Sequence, residues 1–244
     1  MKRVPAPGAR IVLTEDGQAI DTKLLSFTVS PHEECAVEEA VRIAEGHDGT
    51  VTVLTLGPPE AEEQLRSALA VGAHEAVLIP TDGSDWDPIS TSNAIAEAIT
   101  ELEADGVFDL VLFGNESADS GGYQVGVRVA HAIGRPIVSG IKSIELDDGA
   151  VRLRRDTPSG SEIYRLPLPA LVAVREGINL PRYPTLKGRL NAKKVELHRI
   201  ETERVGSGQS MIRLVTPQQE ISETTILPDA VGVVDLLEEL QVLK

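Results

Sequence analysis

The chain has 244 residues, a formal net charge of -15, and 16 Arg against 7 Lys among its cations. That length holds one large domain with a proper core, or one domain with an appendage. The acidic balance excludes nucleic acid or an anionic membrane as the main partner, because phosphate neutralisation needs a basic face, and the single cysteine, Cys35, excludes an internal disulfide and a multi-thiolate metal site.

Ala9 to Leu13 and Ala19 to Leu25 flank Thr14-Glu-Asp-Gly17, which predicts a short hairpin turning at Asp16-Gly17. Ser30-Pro31-His32-Glu33 then places an N-cap Ser, a Pro at the first helical position and a capping-box Glu in order. Ala36, Val37, Ala40, Val41 and Ala44 form the apolar stripe of a helix running to about Glu45. Cys35 lies among these residues and reads as a small buried thiol. Thr50 to Leu56 is a strand ending at Gly57-Pro58, a helix from Glu60 to Val71 stops at Gly72, and Ala76 to Ile79 is the next strand. Asp87-Pro88 opens a helix carrying Ile95, Ile99 and Leu102.

From Phe108 to Gly114 the chain is apolar with almost no alternation, the pattern of a parallel strand covered on both faces. A helix follows from Tyr123 to Ile133, with Val125, Val129 and Ile133 on its apolar face. Alternating strands and helices with short joints imply an α/β fold: a mostly parallel, Rossmann-like sheet with helices on both faces. Such a sheet carries a strand ahead of the helix that begins at Ser30, yet only Met-Lys-Arg-Val precedes the hairpin. Either the sheet has one strand fewer, or residues before Met1 lie outside this sequence.

Four apolar-rich runs come next, at Ile137 to Leu146, Val151 to Arg155, Glu162 to Leu166 and Ala170 to Arg175, and are expected to extend the sheet antiparallel. Glu176 to Gly188 is a loop by its Pro and Gly content. Arg182, Lys187, Arg189, Lys193, Lys194 and Arg199 reverse the sign of an otherwise acidic chain, which suits a docking surface for an acidic partner or simply an exposed basic helix. Met211 to Val215 reads as a strand, and Asp229 to Leu243 as a terminal amphipathic helix with Val233, Leu236, Leu237, Leu240 and Leu243 at helical spacing. The expected division is a domain over residues 1–190 and an arm over 191–244 that packs on a partner subunit.

The loop from Gly114 to Val125 sits at the carboxyl end of a strand, where open α/β sheets bind ligands. Free N–H groups at the next helix start favour an anion, and Gly121 and Gly122 allow a close approach. The same residues also suit an ordinary strand-to-helix turn, and neither a P-loop nor a dinucleotide fingerprint is present. The five His residues are scattered, without a pair at ligand spacing, and no catalytic acid/base pair or nucleophile constellation is found. No apolar run is long enough to span a bilayer and the start lacks signal-peptide features, so a cytoplasmic protein is expected. Many acids and few Lys are expected of a chain kept hydrated at high salt.

Asn179-Leu-Pro-Arg-Tyr-Pro-Thr-Leu186, followed by Asn191-Ala-Lys-Lys194, is similar to the signature of the electron-transfer flavoprotein beta subunits. Ala36 to Arg42, Gly57-Pro and Leu69 to Ala73 resemble the same family, and the likeness runs from Lys2 to about Lys194. The resemblance implies an electron carrier without catalytic residues of its own, binding AMP and paired with an alpha subunit that holds most of a redox-active FAD. It places the AMP site on Ser30, Pro31, His32, Glu33 and Leu56, and on Gly114, Asn115, Ser117, Asp119, Ser120, Gly121, Gly122, Tyr123, Gln124 and Val125. It also implies that Pro181, Arg182, Tyr183 and above all Leu186 grip partner proteins, namely acyl-CoA or other flavin dehydrogenases and a quinone-linked oxidoreductase. In flavin-bifurcating relatives a second FAD takes the AMP position. A free-standing ATP-binding protein of the universal-stress type is the competing expectation, and the Leu186 loop and long arm argue against it. The family's first strand, a Val- and Ala-rich run, has no counterpart before Lys2, so an apolar strand is expected upstream of Met1.

Overall fold

A computed structural model describes residues 1–205, 208–217, 224 and 226–242. In chain order the strands and helices are β1 (Arg3–Pro5), β2 (Phe27–Val29), α1 (Pro31–His47), β3 (Thr52–Gly57), α2 (Glu62–Val71), β4 (Glu75–Pro80), α3 (Pro88–Leu102), β5 (Leu110–Gly114), α4 (Val125–Ala132), β6 (Ile137–Asp147), β7 (Ala150–Thr157), β8 (Gly160–Pro167), β9 (Ala170–Val174), α5 (Leu186–Ala192), β10 (His198–Arg199) and α6 (Ala230–Glu239). The architecture is α/β, as the alternation implies. Strands β10-β4-β3 form one parallel sheet; β5-β9-β6-β7-β8 form a second, parallel as far as β6 and antiparallel beyond it. No helix among the described residues is long and apolar enough to cross a membrane.

The helices start where the sequence places its caps. Asp87 accepts hydrogen bonds from the N–H groups of Ile89 and Ser90, and α1 begins at Pro31 directly after Ser30. The expected capping box at α1 does not form, because both side chains have other partners. The Ser30 hydroxyl donates to the Glu116 carbonyl at 3.4 Å, and Glu33 accepts from the Lys2 N–H at 2.8 Å. Val41 of α1 packs with Leu65 of α2 and Leu78 of β4 in the largest core cluster. Each such side chain, fully buried, contributes roughly 1.5–3 kcal/mol.

Four sequence expectations need correction. The hairpin over residues 9–25 reduces to one bridge, Leu13 to Ile20, around its turn; Val12 and Leu24 are exposed, so no covered face stabilises longer strands. The regular antiparallel pair instead joins β1 to β2 outside it, with the Arg3 guanidinium 3.4 Å from the Phe27 ring centroid. The run Ala170 to Val174 does not extend a meander, since β9 inserts between β5 and β6, parallel to both and buried throughout. Residues 211–215 form no strand; the Leu214 N–H donates to the Gly17 carbonyl at 2.8 Å and lays this segment against the early turn. The terminal helix spans Ala230–Glu239, with no buried residue; Leu243 lies outside the described residues.

β5 also differs from a strand covered on both faces, for all five of its residues are only half-buried. It bonds to β9 along one edge, and β3 bonds to β4 along one edge. The two bare edges line a cavity of about 790 Å³ between α1 and α3.

Candidate functional site

Gly114 and Val174 stand opposite each other at the carboxyl ends of β5 and β9. The chain leaves β5 into the loop 115–124, which Asn115 anchors: its N–H donates to the Val174 carbonyl and its Oδ1 accepts from the Gly140 N–H, each at 2.8 Å. The start of α1 closes on this point. A Cβ on Gly114 would stand 2.5 Å from Cγ and 3.1 Å from N of Glu33, so only glycine lets the strand end and the helix start meet.

Glu116 joins the two halves. Its carbonyl accepts from Ser30 Oγ, and its carboxylate lies 3.4 Å from His32 Nε2. His32 Nδ1 accepts the Glu176 N–H at 2.8 Å, which requires the ring proton on Nε2, facing Glu116. Lys2 adds a second clasp, its N–H on Glu33 and its Nζ 2.6 Å from Asp119 Oδ2. Burial opposes ionisation of Asp119, but the Lys2 ammonium beside it outweighs that and holds the carboxyl below its usual range. At Glu33 burial wins: despite the Met1 ammonium and the Lys2 N–H, its carboxyl is pushed up.

Within the loop, Ser117 Oγ and Ser120 Oγ are 2.8 Å apart, the Ser120 N–H donates to Asp119 Oδ1, and the Gly121 N–H closes a turn on the Ser117 carbonyl. Gly121 (φ 54°) and Tyr123 (φ 53°) both have left-handed backbones. Beyond that turn, the backbone N–H groups of Gly122, Tyr123, Gln124, Val125, Gly126 and Val127 meet no acceptor among the described residues. A run of free donors at a helix start, supported by the helix dipole, is an anion cradle. The start of α1 offers less: Pro31 has no N–H, and Glu33 and Glu34 donate to the Ser30 carbonyl, which leaves His32.

The structure thus gathers Ser30, His32 and Glu33 with the loop from Gly114 through Val125, while Pro31 shapes the helix entry. Leu56 stands apart, at the end of β3, packed with the cluster around Val77 and Ile79. Lys2 and Glu116 are contributors that sequence reading did not single out. Glu116 lies between two chosen loop residues, but Lys2 has no local signal, since its partners are distant in the chain.

The loop from Asn179 to Leu186 is tied to α1. Asn179 Nδ2 donates to the Cys35 carbonyl and to Glu39, and the Arg182 guanidinium spans Glu38 and Glu45. Arg182 therefore faces its own helix. Around these anchors Leu180, Tyr183 and Leu186 are 91%, 93% and 75% exposed, with Pro181 half-buried beside them. Leu186 is the first residue of α5, capped by Thr185 Oγ1 on the Gly188 N–H, so the predicted loop turns helical three residues early.

A family profile described as "Electron transfer flavoprotein domain" matches residues 21–204. The chain is 36% identical over 203 residues to the electron transfer flavoprotein subunit beta of Bacillus subtilis, covering 83% of this chain and 77% of that protein. It is 33% identical over 234 residues to the subunit beta of Mycobacterium bovis, covering 93% and 87%. It is also 33% identical over 205 residues to that of Thermoanaerobacterium thermosaccharolyticum, covering 79% and 77%. With the loop from Asn179 to Leu186 and the strand-end site in place, the chain belongs to the electron transfer flavoprotein beta-subunit family.

Proposed function

We propose that this chain is the non-catalytic beta half of a two-subunit electron carrier of the cytoplasm, binding AMP at the ends of β5 and β9. The observation that carries this reading is the run of N–H groups from Gly122 to Val127 that meet no acceptor among the described residues, on a loop that Glu116 ties to Ser30 and His32 at the start of α1. Those amides and the His32 N–H supply donors for a phosphate, and the Asp119 carboxylate, already held by Lys2, supplies an acceptor for a hydroxyl. The alpha subunit holds most of the FAD, and one- or two-electron redox chemistry is what that flavin supplies. The exposed Tyr183 and Leu186 form the anchor for dehydrogenases and a quinone-linked oxidoreductase, on a loop whose fixed ends leave only its tip for the partner. α6, with Val231 and Val234 exposed, packs on the alpha subunit.

Co-expression with the alpha subunit, purification and nucleotide release on denaturation test this directly. The expected result is a yellow heterodimer releasing one AMP and one FAD. Two FAD per heterodimer would place a second flavin in the site, and a colourless monomer carrying ATP would overturn the reading.

A further inference from the structure

We infer that His32 is a positioning residue that couples nucleotide binding to partner docking. Its ring fixes the start of the loop that presents Leu180, Tyr183 and Leu186, so a filled strand-end site steadies the docking surface and a docked partner holds the nucleotide in return. The coupling rests on the reading of the strand-end site as an AMP site, and it gives that ligand a part in recognition.

The loop lacks a frame of its own. It leaves β9 at Val174, opposite Gly114 of β5, and its first fixed point is Glu176, whose N–H donates to His32 Nδ1 at 2.8 Å and whose carbonyl accepts from Lys142 Nζ. Ile178 packs on the apolar cluster that holds Cys35 and Ala36. Asn179 Nδ2 then donates to the Cys35 carbonyl and to Glu39, and Arg182 meets Glu38 with both its N–H and its guanidinium. These partners advance along α1 as the loop advances. Leu180 and Tyr183, both exposed, therefore stand where α1 places them.

His32 belongs to both sites. Its N–H is the donor left over at the start of α1, its Nε2 faces the Glu116 carboxylate at 3.4 Å, and its Nδ1 carries Glu176. A ring engaged at both nitrogens cannot turn at one without disturbing the other. Apart from the Lys2 clasp, the polar contacts between the start of α1 and the loop 115–124 are Ser30 Oγ on the Glu116 carbonyl and His32 on the Glu116 carboxylate, both at 3.4 Å. That is longer than the roughly 2.7–3.2 Å of a good N–H···O bond. A phosphate accepting from the His32 N–H and from the amides beyond Gly121 bridges the same two elements, and so restrains the ring and the start of α1 together. Order that one ligand imposes on α1 need not be imposed again by the other, and the resulting coupling is equal in both directions.

Hydrogen exchange and calorimetry on the heterodimer with the alpha subunit, stripped of nucleotide and then given AMP, test the coupling. AMP is expected to slow exchange of the amides from Glu176 to Leu186 on the order of tenfold. It is also expected to tighten binding of an acyl-CoA dehydrogenase about fivefold, and the dehydrogenase to tighten AMP by the same factor. In His32→Ala, which keeps the backbone N–H, saturating AMP is expected to leave loop exchange and docking unchanged. His32→Asn, whose Oδ1 can accept from the Glu176 N–H, is expected to restore part of both effects, which a general loss of stability would not. AMP that binds the parent yet fails to slow the loop's exchange, or slows it with no change in docking, would overturn the coupling and leave the AMP reading standing. An AMP effect of full size in His32→Ala would overturn it as well. Absence of AMP binding by the parent would overturn the AMP reading, and the coupling with it.

Discussion

The guanidinium of Arg182 lies 2.9 Å from Oε2 of Glu38, a carboxylate on α1 only 7% exposed, and its far side takes Glu45. A fork that meets two carboxylates at once fixes the loop more firmly than a point charge could. The bond also connects two regions, because α1 carries the candidate site at His32 and holds the loop from Asn179 to Leu186 at Glu38. Arg182→Ala is expected to cost roughly 2 kcal/mol, chiefly by leaving Glu38 buried without its partner. Urea unfolding of Arg182→Ala beside Arg182→Ala/Glu38→Gln checks this. The double variant should regain part of the loss, and equal stability of the two would exclude the pairing as the cause.

Glu33 gives a pH dependence of definite sign. Burial raises its folded-state pKa above the ordinary 4.5, so the native state holds this proton more tightly than the unfolded chain does. Its ionised form therefore weakens the fold at neutral pH, and that penalty fades as the pH falls from above the folded value to below about 4.5. Glu33→Gln, which keeps an acceptor for the Lys2 N–H, should be more stable than the parent at pH 7 and equal to it below pH 4.5. Thermal melts across that range would read it; a gain independent of pH would point to packing instead.

Helix boundaries were legible because each rests on a local device: Asp87 before Pro88, Ser30 before Pro31, Gly72 after Val71. The placement of β9 was not. Pro167 to Pro169 reads as a hairpin turn, and only the complete burial of Ala170 to Val174 hints at a central strand. The candidate site was legible as two separate loops. Its closure depends on Glu116, His32 and the Glu176 N–H, which are adjacent only after β5 and β9 pair, and on Lys2, whose contacts with Glu33 and Asp119 leave no trace in its neighbours. The inward turn of Arg182 was hidden for the same reason, since its partners on α1 are distant in sequence.

Gly114→Ala should separate close approach from simple backbone freedom, for this residue has no positive φ and yet has no room for a methyl. The added carbon would force α1 away from the end of β5 at a cost of about 1–3 kcal/mol. It should also loosen the proposed nucleotide site, because the shift falls between His32 and the loop. Retained nucleotide per heterodimer after gel filtration and the unfolding midpoint should fall together. Full retention with the parent's stability would show that the helix moves freely.

The formal charge of -15 predicts a fold strengthened by salt. Self-repulsion among surface acids weakens as the Debye length shrinks from about 10 Å at 0.1 M to about 3 Å at 1 M. The melting temperature should rise by several degrees over that range, each 1 kcal/mol appearing as roughly 2–4 °C in a chain of this size. A flat response to both sodium chloride and potassium chloride would remove the halophilic reading.

Leu186 separates docking from folding most cleanly. Its side chain is 75% exposed and it occupies the first position of α5, where the Thr185 cap, not Leu186 itself, holds the helix start. Leu186→Ala should therefore leave the unfolding free energy within about 0.5 kcal/mol of the parent. If the side chain is the apolar anchor for dehydrogenases, the same change should weaken binding of an acyl-CoA dehydrogenase on the order of tenfold, which corresponds to about 1.4 kcal/mol. Leu186→Asp should weaken it further, by placing a charge where an apolar pocket must close, again without loss of stability. Calorimetric titration of the heterodimer with the dehydrogenase, run beside urea unfolding, measures both quantities. Unchanged binding in both variants would move the anchor elsewhere on the loop, with the more exposed Tyr183 next to be tested.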